Sequence, residues 1–234
     1  MATLSFVNMV IKMANNKNNE KEFKVVNNLL DTAISHQDLI SNPLHLGCIY
    51  NHYGQLHMAG VNSEIKNPVK HYKNAISYFQ RAQKHLGKYV YPYDYGFIAF
   101  SLSELLYDYW RQKDDLQALR DAVFNLREAE KIFTYALFPE FWADIEGDLG
   151  HRLSVLSSIT KNNAIAEMAI NAFKNQQKVI TEKRDPFEWA KIQENIGNIY
   201  YRLGREAEDR ELLEESLDYF HDALYIFENM DLND

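Results

Sequence analysis

Hydrophobic and polar residues alternate along this chain with a helical period. Phe23, Val26, Leu29, Leu30, Ala33 and Ile34 recur at spacings of three and four, and Leu46, Ile49, Tyr53 and Leu56 do so after Pro43. Such spacing lines one face of a helix, whereas a half-buried strand repeats every second residue. From Pro186 to Phe227 the pattern makes two helices back to back, and the preceding residues repeat it at a fixed offset of 47. Pro186, Pro139 and Pro92 stand in step, as do Trp189, Trp142 and Tyr95, then Ile192, Ile145 and Ile98, then Phe227, Ile180 and Phe133. A fixed period of roughly 20–50 residues marks stacked supersecondary units.

The pattern predicts helices over Pro43–Ala59, Val69–Leu86, Pro92–Gln112, Leu116–Tyr135, Pro139–Thr160, Asn163–Thr181, Pro186–Leu203 and Glu211–Phe227. Residues 1–36 read as an irregular first hairpin, broken by the polar run "NNKNNEKE". Proline opens each long helix, where the missing N–H leaves no bond unmade, and Asp185 is the expected N-cap of the last pair. Gly87 is expected to end its helix in a left-handed conformation. Pro43 to Pro92 is 49 residues, so the first full unit carries two extra, assigned to the linker "GVNSEIKNP". The aromatic connector "KYVYPYDY" is expected to cover the seam between hairpins. The expectation is ten helices in five hairpins. They form one all-α domain over residues 1–234, a right-handed superhelical solenoid with repeats at 43–86, 92–135, 139–181 and 186–228.

Composition narrows the function classes. Of 234 residues, 46% are hydrophobic and 13% aromatic, enough for a sizeable core rather than a disordered chain. The formal net charge is −8 and the pI about 5.5, which argues against nucleic acid, because phosphate binding needs a basic face. Cys48 is the only cysteine, so no disulfide framework within the chain is possible. No run reaches the roughly 18 apolar residues of a membrane helix. The opening "MATLSFVNMVIKMANN" lacks the basic segment and cleavage site of a secretory signal. A cytoplasmic protein without membrane insertion is expected.

The segments "NIGNIYYRLG" and "ESLDYFHDALYIF" resemble the tetratricopeptide repeat. The family's small residue falls at Gly197, its aromatic at Tyr200 and its helix-closing glycine at Gly204. The small–large–small set of its second helix falls at Ser216, Phe220 and Ala223, and earlier at Ala122, Leu126 and Ala129 and at Ala75, Phe79 and Ala82. The fourth unit departs from it, with Gln176 in a small-residue slot. The family's period is about 34 residues, so a period of 47 resembles its long-helix bacterial variant, with a P-x-x-W-A opening. The resemblance covers roughly residues 43–228.

It also implies where a partner binds. Such arrays curve, and the first helix of each unit lines the concave face. The implied groove residues are Asn51, Phe97, Phe100, Glu104, Tyr107, Asp108, Asp144, His151, Lys191, Glu194, Asn198, Tyr201 and Arg202. Glu104, Asp108 and Asp144 would repel the carboxylate tail that some family members clamp. The mixture suits instead an extended or helical peptide with apolar anchors and basic residues. The bland alternative is that these positions form only a solvated face.

Enzymatic readings are weaker. The eight histidines are scattered, and His52 and His57, five apart, do not share a face as an i,i+4 metal pair would. Cys48 and His52 sit one turn apart, but a lone helical cysteine is more often a small buried hydrophobe. No nucleophile elbow or phosphate loop is present, and no cofactor or metal is implied. The last helix shows apolar residues almost all round, with Leu212, Tyr219 and Ile226 the candidates for self-association as a homodimer. The expected activity is therefore that of a non-catalytic, scaffold-like binding module. The alternative is a ligand-sensing regulatory protein with a small molecule or peptide signal in a closed pocket.

Overall fold

The computed structural model describes residues 20–36, 41–62 and 68–231. The expected short opening helix lies outside them. Every element among the described residues is a helix: α1 (Glu20–Ser35), α2 (Pro43–Asn62), α3 (Pro68–Leu86), α4 (Pro92–Lys113), α5 (Leu116–Glu130), α6 (Pro139–Thr160), α7 (Asn163–Gln176), α8 (Pro186–Ala207) and α9 (Arg210–Asp231). The chain divides into two compact units, residues 1–132 and 133–234, each built of antiparallel hairpins.

Hairpin geometry follows from residue size. A side chain at Gly54 would begin 2.6 Å from the Phe79 ring, one at Gly150 2.7 Å from Phe173, and one at Gly197 2.8 Å from Phe220. The glycine lets the phenylalanine of the facing helix lie against backbone, which closes the hairpin to interior packing density. In the α4–α5 hairpin the same slots hold Ser103 and Leu126, both fully buried, and Ser103 Oγ donates to Ala122 O at 2.8 Å. A slightly larger residue on one helix is matched by a smaller one on the other. The irregular fourth unit follows the same rule: Gly147 leaves room for Gln176, whose amide would lie 2.6 Å from an added side chain.

The links are as regular as the helices. Asp114, Lys161 and Glu208, spaced by 47, end α4, α6 and α8 with φ of 55°, 52° and 52°. Each is followed by an N-cap. Asp115 accepts from Gln117 and Ala118 N–H, Asn162 from Ala164 and Ile165, and Asp209 from Glu211 and Leu212, which satisfies donors otherwise orphaned at a helix start. Two residues therefore reverse the chain. At the other end of the hairpins, Gly87, Thr134 and Thr181 accept through their carbonyls from Tyr91, Phe138 and Asp185 N–H, again in the 47-residue register.

Several expected boundaries move. Gly87 ends α3 with φ 68°, and Asp185 caps α8 by accepting from Glu188 N–H at 3.1 Å, as the sequence suggested. Helix α5 stops at Glu130 rather than Tyr135, and α7 at Gln176 rather than Thr181. The apolar period misled there because Phe133 is buried from a turn, where Ile132 N–H bonds back to Ala129 O. Gly204 does not close α8, which continues to Ala207. An added Cβ at Gly204 would lie 3.0 Å from Leu213 N, so this glycine permits close approach of α9 and Glu208 does the terminating.

Candidate functional site

In the first unit, α4 is the helix whose outer face carries the expected binding residues. Ile98, Ala99, Leu102, Leu105 and Leu106 point inward and are buried. The opposite side places Phe97, Phe100, Glu104, Tyr107 and Asp108 along one stripe by helical spacing. Phe97 is 54% exposed, and Tyr93 one turn before it is 51% exposed. The stripe continues into the connector, where Tyr89 is 93% and Val90 69% exposed. Tyr91 turns inward against the core, so the connector covers the seam with that ring and presents Tyr89 and Tyr93 to solvent. Phe100, Glu104 and Tyr107 are half-buried, with Tyr107 tilted on Trp110 at 5.2 Å. Asp108 stands exposed, 3.9 Å from Arg111.

Asn51 lies half-buried on α2, close in sequence to Cys48. Burial, with the Asp94 carboxylate second, pushes the Cys48 thiol up from its ordinary range. His52 Nδ1 donates to the Cys48 carbonyl oxygen at 2.7 Å. Neither change favours a thiolate.

The second unit distributes its expected residues over α6 and α8. Asp144 stands in a ridge with Glu140 and Asp148, and partial burial together with those two carboxylates raises its pKa. His151 is open at one edge and packs the other on Phe173 at 5.1 Å. Desolvation lowers its pKa; Asp148 opposes this, and Arg152 and Lys191 add to it. On α8, Glu194, Asn198 and Tyr201 are exposed. Lys191 and Arg202, the expected cations, are engaged. Lys191 bonds Glu188 at 2.8 Å and lies 5.2 Å above the Phe187 ring. Arg202 donates to Ser157 Oγ at 2.7 Å and pairs with Glu206 at 3.4 Å. Arg202 thus ties α8 to α6.

Of the residues expected to associate with a second copy, Ile226 is buried against Ala190 and Ala223. Tyr219 stacks on Tyr200 at 5.5 Å, and Leu212 is half-buried. Among the described side chains of α9, the exposed apolar ones are Leu217, Leu224 and Tyr225.

One cluster was not anticipated. His57 and His71, both buried, face each other across the α2–α3 hairpin with their Nδ1 atoms 2.9 Å apart. Phe23 of α1 meets both rings edge-on at 5.3 and 5.0 Å, and Tyr78 stacks on His57 at 5.5 Å. A cleft of about 490 Å³ opens beside them, rimmed by Glu20, Lys24, Asn27, Lys70 and Asn74. Burial first, then His71 and Lys70, pull the His57 pKa down to about 4. The two residues are fourteen apart and share no helix. Only the hairpin register, in which Gly60 faces His71, brings them together. Among the described residues no set of three His, Cys, Asp or Glu side chains is placed to hold a metal ion.

No known family profile matches the chain, and no curated protein does either. Among solved structures it is similar to BtubC (BKLC) from P. vanneervenii, with 16% sequence identity and a TM-score of 0.62 over 96% of this chain and 81% of that one. The likeness is one of all-helical fold. No helix among the described residues is long and apolar enough to cross a membrane.

Proposed function

We propose that this protein is a non-catalytic binding module of tetratricopeptide-like hairpins. On this reading its principal contact is the outer face of α4, and its ligand is an extended or helical segment of a partner protein. The observation that carries the reading is the stripe from Tyr93 through Phe97 to Phe100 and Tyr107. Tyr93 and Phe97, each about half exposed, lead into the half-buried Phe100 and Tyr107, and contiguous apolar patches with polar neighbours mark interaction sites. Glu104 and Asp108 set carboxylates along the same stripe. They select a segment with aliphatic or aromatic anchors and Lys or Arg beside them.

The second unit carries its own expected binding residues on α6 and α8: Asp144, His151, Glu194, Asn198 and Tyr201. The 47-residue register kept from Pro92 onward supports reading the chain as a repeat solenoid. The acidic balance speaks against nucleic acid. The reading in which the protein senses a small ligand draws on the His57–His71 cleft, whose polar rim and buried imidazoles resemble a ligand pocket more than the α4 face does.

A tiled peptide array separates the two. Peptides with apolar anchors and flanking basic residues should bind the intact chain, and Phe100→Ala with Tyr107→Ala should weaken that binding at least tenfold, about 1.4 kcal/mol. Retention of binding by the double variant would sink the α4 assignment.

A further inference from the structure

The helix that ends the described chain carries a seam that its counterpart in the preceding hairpin keeps covered. Leu213, Leu217, Phe220, Leu224 and Phe227 follow one another at spacings of four, three, four and three, the pattern that places successive side chains along one seam of a helix. Subtracting 47 gives Ala166, Ile170, Phe173, Gln177 and Ile180 on and just after α7. There the seam is closed by α8: Ile170 is only 6% exposed beside Tyr200 and Leu203, and Gln177 donates to Gln193 at 2.6 Å. On α9 the inner edge is likewise occupied, since Phe220 lies over Gly197 and Phe227 meets Phe187 at 5.8 Å. The outer edge is open, with Leu217 53%, Leu224 51% and Tyr225 65% exposed.

Charge says what fits. Glu211, Glu214, Asp218, Asp222 and Glu228 stand exposed on α9, against Arg210, which is already paired with Glu214 at 2.7 Å. Two copies of α9 laid face to face would bring these carboxylates together, so a second copy of this surface is a poor occupant.

We propose that the open edge of α9 docks an amphipathic helix of another protein. That helix takes the place α8 takes on α7, with apolar residues at α8-like spacing and Lys or Arg on its flanks. Leu217 and Leu224, two turns apart, receive the apolar stripe, and Asp218 and Glu228 meet the cations. The surface shares no residue with the α4 face, and either can fail without the other.

The test uses synthetic helical peptides of about 20 residues and fluorescence anisotropy on the full chain. One peptide carries a leucine stripe with Lys flanks, a second the same stripe with Glu flanks, and a third the first composition scrambled so that the stripe is lost. The Lys-flanked peptide should bind at least tenfold more tightly than either of the others. Leu217→Ser with Leu224→Ser should remove that advantage without loss of far-ultraviolet helix signal, because both side chains are exposed. Asp218→Lys with Glu228→Lys should shift preference toward the Glu-flanked peptide. Equal binding of the scrambled peptide, or indifference to both pairs of substitutions, would overturn the proposal. So would sedimentation showing a dimer that the leucine substitutions dissolve.

Discussion

Three of the described residues hold left-handed backbone without being glycine, and each does so at the same point of its repeat. A side chain in that region costs on the order of 1 kcal/mol relative to glycine. The cost is tolerated at Asp114, Lys161 and Glu208 because the link that follows is fixed by an Asx cap. Glu208→Gly should therefore raise the stability of the protein by about 0.5–1 kcal/mol, read as a higher urea midpoint. A lower midpoint would mean that the glutamate side chain contributes more than its backbone strain removes. The histidine pair makes a second residue-scale prediction. His57 titrates near 4 in the folded protein and near 6.5 when unfolded. Between those values the unfolded chain binds the extra proton, so stability present above about pH 6.5 is lost as the pH falls toward 4. The loss is on the order of 3 kcal/mol. Urea midpoints should drop across that window, and more shallowly in a His57→Phe variant; parallel slopes would remove the pair from the account.

At the scale of elements, the hairpin is set by a size match between one residue on each helix. Gly150 with Phe173 and Ser103 with Leu126 are two solutions to the same packing problem. Gly150→Ser should destabilise by about 1–3 kcal/mol through overpacking, and Phe173→Leu by a comparable amount through the space it leaves. The double variant, which copies the α4–α5 hairpin, should recover part of the sum in a double-mutant cycle; strict additivity would show that the match is incidental. Helix identity was legible because period and proline point the same way in each unit. Boundaries were less so. Ile132 and Phe133 keep the helical period after the helix has ended, since a turn can bury a ring as well as a helix can. Gly204 looked like a stop signal, but its task is to admit Leu213. A sequence states that a position is small without stating what fills the space.

For the whole molecule, the 47-residue register told which residues are equivalent, and so predicted the faces. It did not reveal a division at residues 132 and 133, because the repeat runs through that point unchanged. The resemblance to the tetratricopeptide repeat implied Phe97, Phe100, Glu104, Tyr107 and Asp108, and these do share the outer face of α4. The pairs Glu188–Lys191 and Arg202–Glu206 follow from helical spacing, but the bond from Arg202 to Ser157, 45 residues away, emerges only once side chains are placed. So does the outer edge of α9, where Leu217 and Leu224 are open while Ile226 is buried. The central claim, that α4 presents the principal docking face, is tested most directly by hydrogen–deuterium exchange of the full chain with and without the tightest-binding array peptide. The account predicts slowed exchange confined to the Tyr89–Lys113 region and the ends of the helices beside it, with the slowing lost in the Phe100→Ala, Tyr107→Ala variant. Slowed exchange centred on the His57–His71 cleft, or spread evenly over the chain, would contradict it.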